Sequence, residues 1–135
     1  MAWSFTSRAP VYMQIVSRIR ADILGGVYQP DQQIPAVRQL ALTAGVNPNT
    51  MQRAFAVLEA EQLFITRGTI GRFITTDTEV LERAREVMRR ETVARLIEEA
   101  AAVGISPAEL IESIRAYESE NAAEKGEASQ ETDTQ

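Results

Sequence analysis

Two short stretches with helical apolar spacing meet at Gly45-Val46-Asn47-Pro48, and no other feature restricts the fold of this chain as tightly. Gly45 is free to take positive φ and end a helix, while Val46 can turn back into a core. Asn47 is a good N-cap, and Pro48 suits the first position of a new helix. The helix before the junction spans about residues 35–44, with Val37, Leu40, Ala41 and Ala44 on one face and Arg38 off that stripe. A Gly-containing turn this short between two short helices predicts a helix-turn-helix.

The helix that begins at Pro48 has two distinct faces. Met51, Ala54, Phe55 and Leu58 form an apolar stripe at i, i+3, i+4 and i+7, and Asn49, Gln52, Arg53 and Ala56 form a second stripe at the same spacing. The first stripe packs and the second is presented. Its amides and guanidinium suit a groove lined by phosphates. A glutamine can pair bidentately with adenine and an arginine with guanine. The first acid of this helix is Glu59, beyond Arg53 by more than a turn.

The flanking segments complete a domain around this motif. Over residues 10–24, Tyr12, Ile15, Val16, Ile19 and Ile23 recur at helical spacing, and Gly25-Gly26 supplies a stop. Residues 27–34, with Pro30 and Asp31, read as a connecting turn. Residues 63–66 and 72–75 are rich in β-branched and aromatic side chains. The segment between them has Gly68 and Gly71, so a β-hairpin is expected. A hairpin after a helix-turn-helix makes a winged helix, whose wing would display Arg67 and Arg72. Phe55, Phe64, Phe73 and Tyr12 read as core, and Arg18 and Arg20 as a solvated helix face.

Beyond the hairpin, Thr76 and Glu79 resemble a capping box. A long helix follows to about residue 103, with Val80, Leu81, Val87, Met88, Leu96 and Ile97 at helical spacing. Gly104 ends it, and Ser106-Pro107-Ala108-Glu109 opens a last helix whose stripe is Leu110, Ile111, Ile114 and Tyr117. Two helices of this size cannot enclose a sizeable core, so their apolar faces need a partner. A second copy in a two-fold dimer is the first choice, and folding back onto the N-terminal domain is the competing one. Residues 118–135 hold six acids, one Lys and no large apolar side chain, and read as a disordered acidic tail.

Charge divides the chain in the same place. Residues 1–76 carry seven arginines against four acids, and the remainder carries seven basic residues against fifteen acids, within a net charge of -5. The N-terminal half therefore suits a polyanion, although a preference for arginine also follows from genome composition. With no Cys and no His, thiol and imidazole catalysis, disulfides and Cys or His zinc sites are excluded. No catalytic residue, metal ligand or cofactor is assigned. The carboxylates of Glu98, Glu99, Glu109 and Glu112 read as solvated helix surface. No apolar run reaches the roughly 18 residues of a membrane span. The N-terminus lacks a signal-peptide pattern, so a soluble cytoplasmic protein is expected.

Taken together, these motifs resemble the GntR family of bacterial transcriptional regulators, in its short YtrA-like branch. The resemblance covers residues 8 to about 117. It rests on Pro10-Val11-Tyr12 with Gln14-Ile15, on Tyr28-Gln29-Pro30, and on Ile34-Pro35-Ala36-Val37-Arg38-Gln39-Leu40-Ala41. It continues through Val46-Asn47-Pro48-Asn49-Thr50-Met51-Gln52-Arg53-Ala54-Phe55, Leu58-Glu59 and the wing from Arg67 to Phe73. Three positions depart from the family, which usually has Gly where Asp31 stands, Ser where Ala36 stands and Gly where Gln62 stands. Looser geometry is expected before the second helix and at its cap.

The resemblance implies a dimeric repressor, and many YtrA-like members control genes for ABC-type transporters. It also implies that Arg38 contacts DNA, at a phosphate or groove edge. Asn47 is first an N-cap with a phosphate contact in addition, and Asn49 and Thr50 reach phosphate or base edges. On their pairing chemistry Gln52 and Arg53 are the candidates for base reading, and Arg67 and Arg72 would reach the backbone or minor groove, with Gly71 allowing close approach. Larger branches of the family add an effector domain of well over a hundred residues, and no dedicated pocket is evident here. An unidentified small-molecule effector would bind at the dimer interface or against the DNA-binding domain.

The expected fold is mainly α with a small β-hairpin. A winged helix-turn-helix DNA-binding domain occupies residues 8–76, a helical dimerisation region residues 77–117, and a disordered acidic tail residues 118–135. The expected function is sequence-specific regulation of transcription by a homodimer bound to a palindromic double-stranded DNA operator, with no enzymatic activity and no membrane partner. The alternative is a winged-helix protein-interaction module without sequence-specific DNA binding.

Overall fold

A computed structural model describes residues 2–133. Its elements are α1 (Val11–Leu24), α2 (Val37–Ala44), α3 (Pro48–Ala60), β1 (Phe64–Arg67), β2 (Gly71–Ile74), α4 (Thr78–Ala102) and α5 (Pro107–Asp133). The fold is mainly helical with one antiparallel hairpin, a winged helix-turn-helix followed by two further helices. The chain divides into two compact units, Met1–Val87 and Met88–Gln135.

Four helices stop in the same way. After α2, the Val46 N–H donates to the Ala41 carbonyl at 3.0 Å and the Gly45 N–H to Leu42 at 3.3 Å, with Gly45 at φ 76°. This is the six-residue Schellman turn, which satisfies helix carbonyls that would otherwise be orphaned. The same pair of bonds closes α1 around Gly26 (φ 84°) and α4 around Gly104 (φ 79°). It also closes α3, where the left-handed position is held by Gln62 at φ 66°. Asp31 is also left-handed, at φ 69°, in a turn closed by the Gln32 N–H on the Gln29 carbonyl at 3.1 Å. Both are positions where the resemblance leads one to expect Gly, and both adopt the left-handed conformation that glycine takes most easily.

The core of the first unit draws on every early element. Ile15 and Ile19 of α1, Leu40 and Ala44 of α2, and Met51, Phe55 and Leu58 of α3 are buried together with Leu63, Phe64 and Ile74. The Phe55 ring meets Phe64 edge-on, 5.1 Å between centroids at 81°. Burying a side chain of that size stabilises the fold by about 1.5–3 kcal/mol. Val80, Leu81 and Ala84, early in α4, pack against the same core. Val80 and Leu81, expected in the dimer surface, thus have an apolar partner inside their own unit. At the start of α4 the cap is Asp77, whose carboxylate accepts the Glu79 N–H at 3.0 Å, rather than Thr76.

An N-terminal arm also joins this core. Trp3 and Phe5 pack against it, and the Trp3 N–H donates to the Ala44 carbonyl at 3.1 Å. Gln14 pins the arm from α1. Its side-chain carbonyl accepts the Thr6 N–H at 2.9 Å, and its Nε2 donates to the carbonyls of Thr6 and Ala9, both at 2.8 Å.

The wing pairs Phe64 with Ile74, Ile65 with Phe73, Thr66 with Arg72 and Arg67 with Gly71. Residues 27–34 are more than a connecting turn, because Gln33 bridges Phe73 in antiparallel fashion. The Ile34 N–H donates to Arg72 and the Ile74 N–H to Gln32, both at 2.9 Å. This one-residue third strand fastens the hairpin to the segment leading into α2.

In the second unit, α5 opens on the Ser106 cap, the first half of the expected capping box. The Glu109 N–H donates to Ser106 Oγ at 3.2 Å, and Ser106 Oγ approaches Glu109 Oε1 at 3.4 Å. The helix then runs on to Asp133, where disorder was expected from residue 118. Residues 118–126 are rich in Glu and Ala and contain no Pro, so local helix propensity continues a capped helix although the segment has little to bury. Thr134 and Gln135 of the expected tail lie outside the described residues. Ala100 is the one buried side chain of this unit among the described residues. Met88 and Leu110 are half-buried. Leu96, Ile97, Ile111 (51% exposed), Ile114 and Tyr117 (68%) lie open, as does Val87 at the end of the first unit.

Candidate nucleic-acid interface

The two faces of α3 are divided as its sequence dictates. Met51, Ala54, Phe55 and Leu58 are buried, and Asn49, Gln52, Arg53 and Ala56 are exposed. At the start of the helix, the Asn47 side chain accepts the Asn49 N–H at 2.8 Å, with Pro48 directly after the cap. Asn47 therefore serves as an N-cap, and its backbone carbonyl takes the Thr50 and Met51 N–H groups at 3.0 and 3.2 Å, so the first turn of α3 is satisfied within the chain. Thr50 is half-buried beside it.

Arg53 does not extend into solvent unsupported. Its guanidinium lies over the Tyr12 ring, 3.9 Å from the centroid. Tyr12, read from the sequence as core, packs against the core but leaves its face to Arg53. Val11, Tyr12, Asn49, Thr50 and Arg53 line an open cavity of about 360 Å³. The N-terminus of α1 thus borders the presented face of α3.

A second open cavity, of about 340 Å³, lies between the start of α2 and the wing. Gln33, Arg38, Phe55, Ile70, Gly71 and Arg72 are among its walls. Arg38 is exposed. The N-cap of α2 is Ala36, which makes no side-chain capping bond, as expected from the missing Ser. The first N–H groups of α2 are therefore uncapped by any side chain beside Arg38.

The arginines of this surface fall into two electrostatic classes. Among the described residues, Arg38 and Arg53 make no ion pair or hydrogen bond. The wing arginines are both engaged: Arg67 pairs with Asp31, and Arg72 with Glu59 of α3. Each also stacks, Arg67 over Phe73 at 4.3 Å and Arg72 over Phe55 at 5.2 Å. Glu59 further accepts the Thr66 hydroxyl at 3.1 Å, so one carboxylate holds both members of a cross-strand pair. Ion pairs at partly or fully exposed positions such as these contribute only about 0–1 kcal/mol, and a phosphate can replace either carboxylate at little cost.

Gly71, expected to permit close approach of DNA, is approached within the chain itself. A Cβ there would stand 2.8 Å from Gln33 Nε2, and that amide donates to the Ile70 carbonyl at 2.9 Å. Gly68, at the wing tip, has open space around it. Arg18 and Arg20, read as solvated, are also occupied, Arg18 over Trp3 at 4.1 Å and Arg20 paired with Glu61. Tyr12, Gln33 and Glu59 thus join the surface that the sequence reading had built from other residues. The placement of Glu59 three residues beyond Ala56 was the one available signal for its lying near the wing. Among the described residues there is no cluster of acids able to hold a metal ion, and no helix long and apolar enough to cross a membrane.

Comparison with known proteins bears on the whole of this surface. Residues 11–74 match the model of the bacterial regulatory proteins, gntR family. The chain is 31% identical over 110 residues to the HTH-type transcriptional repressor YtrA of Bacillus subtilis, covering 81% of this chain and 85% of that one. It is 28% identical over 113 residues to the HTH-type regulator YhcF of the same organism, covering 84% and 93%. A GntR family transcriptional regulator from Listeria monocytogenes superposes with a TM-score of 0.73 at 30% identity, over 83% of this chain and 98% of that one. The DNA-binding domain of AraR, solved in complex with operator ORX1, superposes at 0.50 and 26% identity over 56% of this chain and 99% of that one. The two-faced helix, the wing and these likenesses agree: the chain belongs to the gntR family of bacterial regulatory proteins, in its YtrA-like branch, and is a DNA-binding regulator of transcription rather than an enzyme.

Proposed function

We propose that the protein is a homodimeric repressor that binds a palindromic operator, with the α3 helices of two copies in successive major-groove half-sites about one helical turn apart. The observation that carries this reading is the exposed row Asn49, Gln52, Arg53 and Ala56. It offers amide and guanidinium donors with no acid among them. Arg53 and Gln52 read base edges, Arg38 and the Asn47 side-chain amide hold phosphates, and the wing arginines meet the backbone after leaving their carboxylate partners.

Dimerisation follows from what α4 and α5 leave uncovered. A unit whose described residues bury only Ala100 gains little stability from its own packing. Ile111, Ile114 and Tyr117 present a contiguous apolar face at helical spacing, and a second copy of the chain supplies a matching one. The Bacillus relative is named a repressor, and repression of a transporter operon in the cytoplasm is the role we assign.

Binding of the purified protein to its own promoter fragment, against a scrambled fragment of equal length over a salt series, tests this directly. The expected result is preference for the promoter at physiological salt, with a dimer mass in sedimentation. Equal, weak and steeply salt-dependent binding to both fragments, with no preferred site emerging from a randomised pool, would refute it.

A further inference from the structure

We propose that Tyr12 is a positioning residue for sequence reading: its ring is a fixed platform that orients the Arg53 guanidinium for bidentate recognition of a base. The proposal rests on the reading of Arg53 as a base-contacting residue. It adds a residue of α1 to a task otherwise assigned to α3 alone.

The geometry separates the two surfaces of the guanidinium. Its flat face is taken up by Tyr12, with the guanidinium carbon 3.9 Å from the ring centroid. Its N–H donors lie along the edge, and bidentate pairing with guanine uses that edge and not the face. Stacking therefore fixes the plane of the fork without consuming a donor. Arg67 and Arg72 are also stacked, but each has donors engaged by a carboxylate. Of the stacked arginines on α3 and the wing, Arg53 alone keeps its donors unengaged among the described residues.

The platform is itself held. Tyr12 is half-buried and packed against the core, next to the buried Ile15 and Val16 of the same helix. Asn49 and Thr50 share with Tyr12 and Arg53 the walls of the open cavity. An unsupported arginine at an exposed helix position samples many rotamers and must give up that freedom on docking. With the ring beneath it, part of that ordering is complete before DNA arrives, and a misaligned base meets a fork that cannot swing to suit it.

The test is selection from a randomised DNA pool with the full chain, comparing the wild type with Arg53→Ala, Tyr12→Phe, Tyr12→Leu and the Arg53→Ala/Tyr12→Leu double variant, with thermal melts in parallel. The base position that loses its preference in Arg53→Ala identifies what Arg53 reads. Tyr12→Leu is expected to lower preference at that same position by about 3- to 30-fold, the range of cation–π attraction, while other positions and the salt slope stay unchanged. Tyr12→Phe, which keeps the ring, stays within about twofold of wild type. The double variant is no less selective than Arg53→Ala alone.

A Tyr12→Leu variant that binds every sequence more weakly by one common factor would show a purely structural tyrosine and overturn the proposal. So would an unchanged profile. If Arg53→Ala alters no position, the base-reading role of Arg53 falls and the proposal falls with it, a result distinct from failure of Tyr12→Leu alone. Should Tyr12→Leu melt below the assay temperature, Tyr12→Met carries the same comparison.

Discussion

The Glu59 carboxylate of α3 is paired with the Arg72 guanidinium of the wing, and the same carboxylate accepts the hydroxyl of Thr66, the cross-strand neighbour of Arg72. Because the pair is partly exposed, its rupture costs folding stability at most about 1 kcal/mol. Glu59→Gln keeps a hydrogen-bond acceptor for Thr66 and releases the charge of Arg72. The expected outcome is tighter low-salt binding to DNA of any sequence and a salt slope steeper by about one unit, read by fluorescence anisotropy. An unchanged slope would show that Arg72 does not exchange Glu59 for phosphate.

Arg38 and Arg53 make no ion pair or hydrogen bond among the described residues, yet they should respond differently to truncation. Arg53→Ala is expected to cost about 1–3 kcal/mol on the preferred sequence and to relax base preference. Arg38→Ala is expected to weaken preferred and scrambled DNA alike and to reduce the salt slope by about one unit. Titrations of both variants on both DNAs separate the roles, and equal losses of selectivity would merge them.

Gln62 occupies the left-handed position of a Schellman turn at φ 66°, where a side chain costs about 1–2 kcal/mol. Gln62→Gly should raise stability by about 0.5–1 kcal/mol after the added freedom of the unfolded chain is deducted. Ala36→Ser gives α2 the side-chain cap it lacks and should add about 0.5–2 kcal/mol. Gly45→Ala should destabilise, since φ is 76° and the new Cβ would stand 2.8 Å from that of Ala2. Urea unfolding of the three variants checks these signs.

The dimer reading makes Ile114 a test position, at 47% exposed in the single chain. Ile114→Glu should leave the melting of the first unit unchanged and raise the dimer dissociation constant by about 100-fold, the scale of a lost interface anchor. Sedimentation velocity over a dilution series measures this. A variant that dimerises like wild type would locate the interface elsewhere.

Tyr28 gives a pH signature. Burial pushes its hydroxyl above the ordinary value of 10.0, the Asp22 carboxylate pushes in the same direction, and Arg18 opposes them. The unfolded chain therefore loses this proton first as alkali is added. Stability from this group is complete below about pH 10 and is lost as pH rises through the folded-state value. Tyr28→Phe should flatten the fall in melting temperature between about pH 9 and pH 11. An identical fall in both proteins would contradict the burial of Tyr28 as its cause.

The features that sequence made legible are those encoded within one or two helical turns. The two faces of α3, the Gly45 and Gly104 stops, the Asn47 cap and the Ser106 cap all depend on neighbours a few residues away, where periodicity and capping rules apply. The features that stayed hidden join distant segments: Gln33 to Phe73, Arg67 to Asp31, Arg20 to Glu61, and Arg53 to Tyr12. Periodicity marks Tyr12 as apolar-facing, but it cannot say that the ring lies at the edge of the core with one face to spare.

The repeated helix stop has a consequence for how this protein reaches its fold. Each of α1 to α4 is terminated by bonds that close within six consecutive residues. The lengths of these rods are therefore measured out locally, before any of them has met another. Searching for the native arrangement reduces to docking segments of preset length, the short-range regime in which chains fold fast. The exception is the α3 stop, where a glutamine must be held in a conformation it resists. There the stop is backed by the burial of Leu63, whose N–H closes the turn on Leu58, so the last turn of α3 is the boundary that leans most on tertiary structure.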